Sequence, residues 1–128
     1  ICSLKAFHAP KEDALLYLIE KEGKTIFYCT DTGWLPEETY AYLQGKHIDL
    51  VAYDATFGPK KFGNGHLGIP DAAQVHERLK KLGCIDGSTI GIVTHFSHNC
   101  GAKSHADLVN CAEKYGFLTA YDGFTIEI

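Results

Sequence analysis

Methionine is absent from this sequence, and so are several features that would assign the chain to a function class. The chain begins at Ile1, whereas an independently translated protein needs an initiator methionine. We therefore expect a piece of a longer protein, with the missing part preceding Ile1. No apolar run approaches the roughly 20 residues needed to cross a bilayer, and the first residues lack the order of a signal peptide. A cytoplasmic protein with no membrane partner is expected.

The cysteines and the charge argue against three further classes. The five cysteines are odd in number and include no Cys-x-x-Cys pair, which argues against a disulfide framework and against a zinc ribbon. The net charge of -4 argues against a protein that binds a nucleic-acid backbone. The 128 residues, 45% of them hydrophobic, suffice for a core, and we expect one domain over residues 1–128.

Three short apolar runs organise the sequence, and each carries a polar residue at its C-terminal edge. The runs span residues 26–31, 50–57 and 90–95, and their Ile, Val, Phe and Tyr content is typical of strands buried on both faces. If these strands lie in one sheet, Asp31, Asp54 and His95 emerge at one edge. Carboxylates and imidazoles there are the groups from which a metal or acid–base site is built.

Turn and cap residues predict the remaining elements. Further strands are expected at 3–8 and 14–20, and the first of the three runs is expected to form a strand over 24–30. Helices are expected at 36–44, from 70 to about 82 and from 104 onward, and a closing hairpin from 117–121 and 124–128. Tyr115 is expected to be buried by the last helix. The glycine-rich stretch 58–68 is predicted to be a functional loop, in which Lys60 and Lys61 either steer an anionic substrate or form a solvated pair.

The histidines divide into two groups by their place in the sequence. His47, His76 and His105 are expected on polar surfaces without a role. The other four stand at strand ends or in glycine-framed loops: His8, His66, His95 and His98. A single such histidine is more often hydrogen-bonded structure than a metal ligand, so the hypothesis of a metal site rests on the group.

A family resemblance runs through the chain in order. It is carried by the segments Phe7-His8-Ala9-Pro10, Tyr28-Cys29-Thr30-Asp31-Thr32-Gly33, Tyr53-Asp54-Ala55-Thr56-Phe57, Gly65-His66-Leu67-Gly68, Thr94-His95-Phe96-Ser97-His98 and Tyr121-Asp122-Gly123. Together they resemble the C-terminal half of metallo-β-lactamase-fold hydrolases, and most of all the phosphodiesterase-like branch. The resemblance implies an α/β fold that is the C-terminal half of an αββα sandwich, with a mixed sheet and flanking helices.

The resemblance also implies roles for individual residues. The metal ligands would be His8, Asp31 and His95, with Asp31 bridging two divalent ions, zinc or manganese. His66 would lie beside the scissile phosphate and act with Asp31 in catalysis. His98 and Asp54 would orient the ligands. The implied reaction is hydrolysis of a small phosphodiester or nucleotide-like substrate by a water that two metal ions activate.

The sequence departs from the family pattern in one large respect. The His-x-His-x-Asp-His motif, which supplies about half of the ligands, is missing from these residues. We therefore expect the piece alone to be inactive and the activity to belong to the full-length protein. Half of a sandwich exposes apolar surface, which predicts a homodimer or association with the missing N-terminal half.

Two alternative functions stay open. The first is a carbonyl hydrolase, a lactonase or thiolesterase, on the same scaffold. The second is a non-catalytic binding domain in which His8, Asp31 and His95 make ordinary hydrogen bonds.

Overall fold

A mixed β-sheet is the centre of the structure, a computed structural model that describes residues 1–9 and 11–128. In this part of the chain the sheet has six strands: β1 (Cys2–Lys5), β2 (Leu15–Lys21), β3 (Lys24–Cys29), β4 (Leu50–Asp54), β5 (Ile90–Thr94) and β6 (Leu118–Thr119). The strands lie in the sheet in the order in which they occur in the chain. β1, β2 and β3 pair antiparallel, whereas β4, β5 and β6 each pair parallel to the preceding strand.

Helices connect the parallel strands, because parallel neighbours need crossover connections. They are α1 (Glu37–Leu43), α2 (Ile69–Lys81) and α3 (His105–Glu113). The predicted capping box at the start of α3 is confirmed: the Ser104 hydroxyl accepts from the Asp107 N–H, and the Asp107 carboxylate accepts from the Ser104 N–H. Among the described residues, no helix combines the length and apolarity that a bilayer crossing requires.

The main core lies between one face of the sheet and the three helices. Phe27, Val51 and Tyr53 of the strands are fully buried there, and they share one cluster with Leu43 of α1 and Leu79 of α2. Leu108 and Ala112 of α3 belong to the same cluster. The apolar stripe predicted for α2 therefore packs on the sheet as expected.

The opposite face of the sheet is covered in part. Strand register aligns one row across this face: Tyr17, Tyr28, Ala52, Ile92 and Leu118. The C-terminal residues Phe124 and Ile126 pack over the middle of the face. Tyr17, Tyr28 and Leu118 keep 41%, 46% and 44% of their surface exposed.

The closing hairpin predicted for residues 117–128 is wrong. β6 pairs parallel to β5, and the Ala120 N–H continues this pairing by donating to the carbonyl oxygen of Val93 (3.0 Å). A turn at Asp122-Gly123 does form, but no strand follows it within residues 120–128. Asp122-Gly123 specifies only a local turn. The two segments that it joins make tertiary contacts instead of pairing with each other: one pairs with the edge of β5, and the other packs on the apolar face of the sheet.

Tyr115 also departs from expectation, since 43% of its surface is exposed. Helix α3 ends at Glu113, and Gly116 follows with φ of 76°, so the chain turns before the helical spacing can carry Tyr115 inward.

Candidate metal centre

The carboxyl ends of β3, β4 and β5 form one edge of the sheet, and they deliver the three residues that the sequence singled out. Asp54 is the last residue of β4, Asp31 follows β3 by two residues, and His95 follows β5 directly. These strands are parallel neighbours in register, so their ends coincide. The expectation that Asp31, Asp54 and His95 share one edge is confirmed.

A cluster of potential metal ligands lies at this edge. Asp31, Asp54, His66 and His95 each offer one ligand atom, and these atoms all lie within 4.8 Å of one another. Oxygen and imidazole nitrogen are the donors that zinc and related divalent ions take in proteins. We call these four residues the rim cluster.

Asp54 is the buried centre of the rim cluster. Its side chain is 0% exposed. Oδ1 accepts from the backbone N–H groups of Thr56 and Leu67, both at 3.0 Å. Oδ2 accepts from the N–H of Asp31 at 2.9 Å, and it lies 3.1 Å from Nδ1 of His66 and 3.2 Å from Nδ1 of His95. The Asp54 carboxylate therefore links the segments that follow β3, β4 and β5, and both of its oxygens accept hydrogen bonds.

Thr56 fixes the protonation of the two imidazoles. Its hydroxyl donates to the carbonyl oxygen of His95 at 3.0 Å. The same oxygen lies 3.1 Å from Nδ1 of His66 and 2.9 Å from Nδ1 of His95, and with its own proton already donated it can only accept there. Nδ1 of each ring is therefore the nitrogen that donates to Thr56 and Asp54. Nε2 is the nitrogen left to face a metal ion or a substrate.

The backbone at Asp31 and His95 is strained. Their φ angles are +59° and +64°, in the left-handed region that costs a non-glycine residue about 1–2 kcal/mol. Such strain persists only where surrounding contacts hold it, and it concentrates at functional sites. Here it turns two side chains toward each other at the ends of β3 and β5, with 4.0 Å between Nε2 of His95 and Oδ1 of Asp31.

His8 lies beside the rim cluster. Its Nδ1–H donates to the carbonyl oxygen of Gly65 at 3.0 Å and lies 3.6 Å from Oδ1 of Asp31. The hydrogen bond to Gly65 and the carboxylates of Asp31 and Glu12 raise the pKa of His8, against the opposing effect of burial. Its ring meets that of His66 edge to face, with the centroids 4.7 Å apart.

The predicted functional loop, residues 58–68, brings His66 to the site by close backbone approach. A Cβ on Gly65 would lie 2.8 Å from the carbonyl oxygen of His8, and a Cβ on Gly33 would lie 2.5 Å from that of Gly63. Neither position can hold a side chain without displacing the backbone. These glycines let the loop, the Asp31 turn and the His8 segment pack against one another.

The loop is anchored at its far end by Asp71 in the first turn of α2. Oδ2 of Asp71 accepts from the N–H of Phe62 (2.7 Å) and of Gly68 (3.0 Å). The side chain is 1% exposed, so these bonds are shielded from water.

Other residues singled out in the sequence lie elsewhere. His98 is exposed on the loop after β5, and in the described part of the chain no hydrogen bond joins it to the rim cluster, so its orienting role stays a prediction. His47 is half-exposed between Asp49 and Asp86. The Lys60 stem packs on Gly101, Lys61 lies along α2, and both residues are exposed, which fits a solvated pair as well as a steering role.

His76 does not lie on a polar surface as expected. Its Nδ1 is 2.9 Å from the hydroxyl of buried Tyr53. Burial lowers the pKa of His76, so the neutral ring accepts a hydrogen bond from the Tyr53 hydroxyl. The neighbours of His76 in α2 are mostly polar, so the sequence predicts an exposed position. His76 in fact lies at the border of the buried apolar stripe of the helix.

Comparison with known proteins places this geometry in a family. Residues 3–96 match the model of the beta-lactamase superfamily domain. The chain belongs to the beta-lactamase superfamily. Two solved structures share its fold. One is the metallo-beta-lactamase fold protein YhfI from Bacillus subtilis, with 18% identity, a TM-score of 0.64, and 92% of this chain aligned with 44% of YhfI.

The other is the isothiocyanate hydrolase from Delia radicum gut bacteria, with 19% identity, a TM-score of 0.66, and 97% of this chain aligned with 51% of that protein. No curated protein matches the sequence significantly. The chain spans about half of the length of each of the two similar structures. The fold prediction, a mixed α/β piece of a metallo-β-lactamase fold, is confirmed.

Sequence reasoning missed Thr56 in this superfamily chain. A signal was present, because an aspartate at a strand end often accepts a hydrogen bond from the backbone N–H two residues later, and Oδ1 of Asp54 does accept from the Thr56 N–H. This turn brings the Thr56 hydroxyl next to the groups around Asp54.

Proposed function

We propose that this chain supplies one half of the active site of a metal-dependent hydrolase that cleaves phosphodiesters. Asp31, His95 and His8 would hold two divalent ions, zinc or manganese, together with ligands from the other half of the protein. Such ions lower the pKa of water and neutralise phosphoryl oxygens. The residues fit this group, because the rim cluster combines carboxylate oxygens with imidazole nitrogens, the donors that zinc takes.

One observation supports the proposal above the others. Oδ2 of the buried Asp54 accepts from Nδ1 of both His66 and His95, at 3.1 and 3.2 Å. A carboxylate behind a histidine fixes the ring and raises its basicity toward a metal. The two histidines and the exposed Asp31 carboxylate, which lies 4.0 Å from Nε2 of His95, also converge on one point of the edge. The non-catalytic alternative does not require this convergence.

His66 would serve the leaving group. Its Nδ1 is held by Asp54 and Thr56, and 23% of its side chain is exposed. To give a proton to the departing oxygen of a diester, Nε2 of His66 must be protonated as well, and the Asp54 carboxylate beside Nδ1 would balance the charge of that imidazolium. Alkoxide leaving groups need such a proton, in a diester as in a lactone, and the preference for the diester rests on the resemblance of His66 to the loop histidine of phosphodiesterase relatives. The glycine-framed loop would keep the ring fixed during turnover.

Attack at an electrophilic carbon is the second candidate. It is favoured by the similarity to a protein described as an isothiocyanate hydrolase, and it includes the lactonase and thiolesterase reactions. The rim cluster would serve either reaction, since both need an activated water and an electrophile held beside it. Parallel assays with bis-p-nitrophenyl phosphate, a lactone and an isothiocyanate separate the two.

The exposed sheet face points to a partner. Tyr17, Tyr28 and Leu118 present partly exposed apolar surface in one register row, and a monomer rarely leaves such a patch uncovered. We propose that a second sheet from the other half of the full-length protein covers it, because the two similar structures are about twice the length of this chain. A homodimer through the same face is the competing result that sedimentation of the isolated chain would reveal. The cytoplasmic location stays a prediction.

The function is tested with the full-length protein and its Asp31→Asn variant. We expect the protein to hydrolyse bis-p-nitrophenyl phosphate, and the variant to lose at least about a hundredfold in rate because a ligand shared by both ions is lost. Asp13→Asn, an exposed carboxylate outside the rim cluster, serves as the matched control and should keep full activity. A full-length protein that binds metal but spares the diester would assign the chemistry to the carbonyl alternative.

A further inference from the structure

A cleft of about 540 Å³ opens beside the rim cluster. Its lining includes Thr94, His95, Phe96, His105, Tyr121 and Asp122. His95 belongs to both the cluster and the cleft, so a molecule held at the cluster can extend into the cleft. The pairing of Ala120 with Val93 at 3.0 Å holds the far wall against β5. We call it the His95 cleft.

Tyr121 is an exposed aromatic residue held in a fixed position. Its surface is 60% exposed, more than that of any other aromatic side chain in the described residues. The ring of His105 lies 6.0 Å away at 82°, and the ring of Phe124 lies 5.4 Å away at 77°. Two near-perpendicular neighbours restrain the ring, while most of it stays in water. A flat ligand ring stacked on it would remove this apolar surface from water.

The polar groups of the His95 cleft indicate what it does not bind. Asp122 offers a carboxylate, which only accepts hydrogen bonds, and Thr94 offers a hydroxyl. None of the described residues that line the cleft is a lysine or an arginine. The imidazoles of His95 and His105 are the other polar groups of the lining, so the Asp122 carboxylate is the part of the cleft that disfavours a phosphoryl group. The cleft suits a planar, uncharged group that donates hydrogen bonds.

We propose that the His95 cleft binds the amino-bearing base of a nucleotide-like diester, by stacking on Tyr121 and by a hydrogen bond to Asp122. This inference rests on the proposed phosphodiester function, and it narrows the substrate from any small diester to one that carries a nucleobase. The base would lie on the His95 side of the site, and the scissile phosphate would lie at the rim cluster.

The test measures binding by calorimetry in the metal-loaded full-length protein. The probes are adenosine 5′-monophosphate, ribose 5-phosphate, which lacks the base, and adenosine, which lacks the phosphate. We expect the nucleotide to bind about tenfold more tightly than ribose 5-phosphate, the gain that one stacked base gives. Tyr121→Ala should abolish this difference, whereas Tyr121→Phe should keep it because the ring remains.

Tyr115→Ala is the matched control, since Tyr115 is an exposed tyrosine along α2 and outside the His95 cleft. Equal affinities for nucleotide and ribose 5-phosphate, or a preference that survives Tyr121→Ala, would overturn the inference and leave the metal site untouched. If the proposed function is wrong, the protein would instead bind neither metal nor ribose 5-phosphate. Adenosine binding would then still measure whether Tyr121 stacks on a base, independently of the metal site.

Discussion

Oδ2 of Asp54 lies 3.1 Å from Nδ1 of His66, at the end of the central strand and inside the protein. The same oxygen serves His95, and the other carboxylate oxygen holds the backbone of the loop that carries His66. The residue therefore sets both the position and the tautomer of two histidines.

Removal of the Asp54 carboxylate should destabilise the fold strongly. In Asp54→Ala, the buried N–H groups of Thr56 and Leu67 and both imidazoles lose their acceptor. We expect a loss of about 3–5 kcal/mol in the free energy of unfolding, measured with urea. Asp13→Ala, at an exposed carboxylate, should stay within about 0.5 kcal/mol of the wild type. Equal effects of the two variants would show that Asp54 is not the organising group.

At Asp31, substitution by glycine should destabilise the fold less than substitution by alanine. Because φ is +59°, Asp31→Ala should be about 1 kcal/mol less stable than Asp31→Gly. At Asp13, where φ is not positive, the order should reverse, since glycine adds freedom to the unfolded chain. Thermal unfolding of the four variants measures both differences. The same order at both positions would argue against strain at Asp31.

Loop packing at Gly65 can be separated from backbone strain. Gly65→Ala places a Cβ 2.8 Å from the carbonyl oxygen of His8, whereas Gly45→Ala meets nothing within 4 Å. Both glycines have positive φ, 76° and 83°, so the backbone penalty is shared. We expect Gly65→Ala to be less stable than Gly45→Ala by about 1–3 kcal/mol, the usual effect of overpacking. Denaturant titration of the two variants decides, and equal losses would mean that the loop can move away freely.

The half-buried His76, which pairs with buried Tyr53, should make stability depend on pH. Burial lowers the pKa of His76 in the folded state, so the unfolded chain takes up a proton more readily. Stability should therefore fall as pH drops below the ordinary histidine value of about 6.5 and level off below the folded-state pKa. His76→Gln, which keeps a partner for the tyrosine hydroxyl, should lose this part of the pH dependence.

Urea titrations at several pH values between about 5 and 8 compare the two proteins. The difference between them isolates His76, because the other histidines titrate in both. A variant with an unchanged pH profile would contradict the assignment.

The elements that local patterns specify could be predicted from the sequence. Runs of β-branched and aromatic residues located β3, β4 and β5, and the spacing of Ala72, Val75 and Leu79 located α2. The meeting of Asp31, Asp54 and His95 at one edge of the sheet could also be predicted, because parallel strands in one sheet end at the same edge. The turn at Asp122-Gly123 was predicted from the same local chemistry, and it forms.

Features decided by tertiary contacts could not be predicted in this way. The segment after β6 packs Phe124 and Ile126 over the sheet instead of pairing as a strand, a choice that depends on the free apolar face. His76 pairs with a tyrosine 23 residues away, and the Gly65 contact with His8 spans 57 residues. Such approaches leave no periodic signal in the sequence.

Metal binding tests the central claim most directly. Zinc content after equilibrium dialysis is measured for the full-length protein, for Asp31→Asn and for the control Asp13→Asn, with urea unfolding confirming that each variant is folded. The account predicts about two zinc ions for the wild type and the control and a loss of metal in Asp31→Asn. A wild-type protein without bound zinc, or an Asp31→Asn variant that keeps both ions, would contradict it.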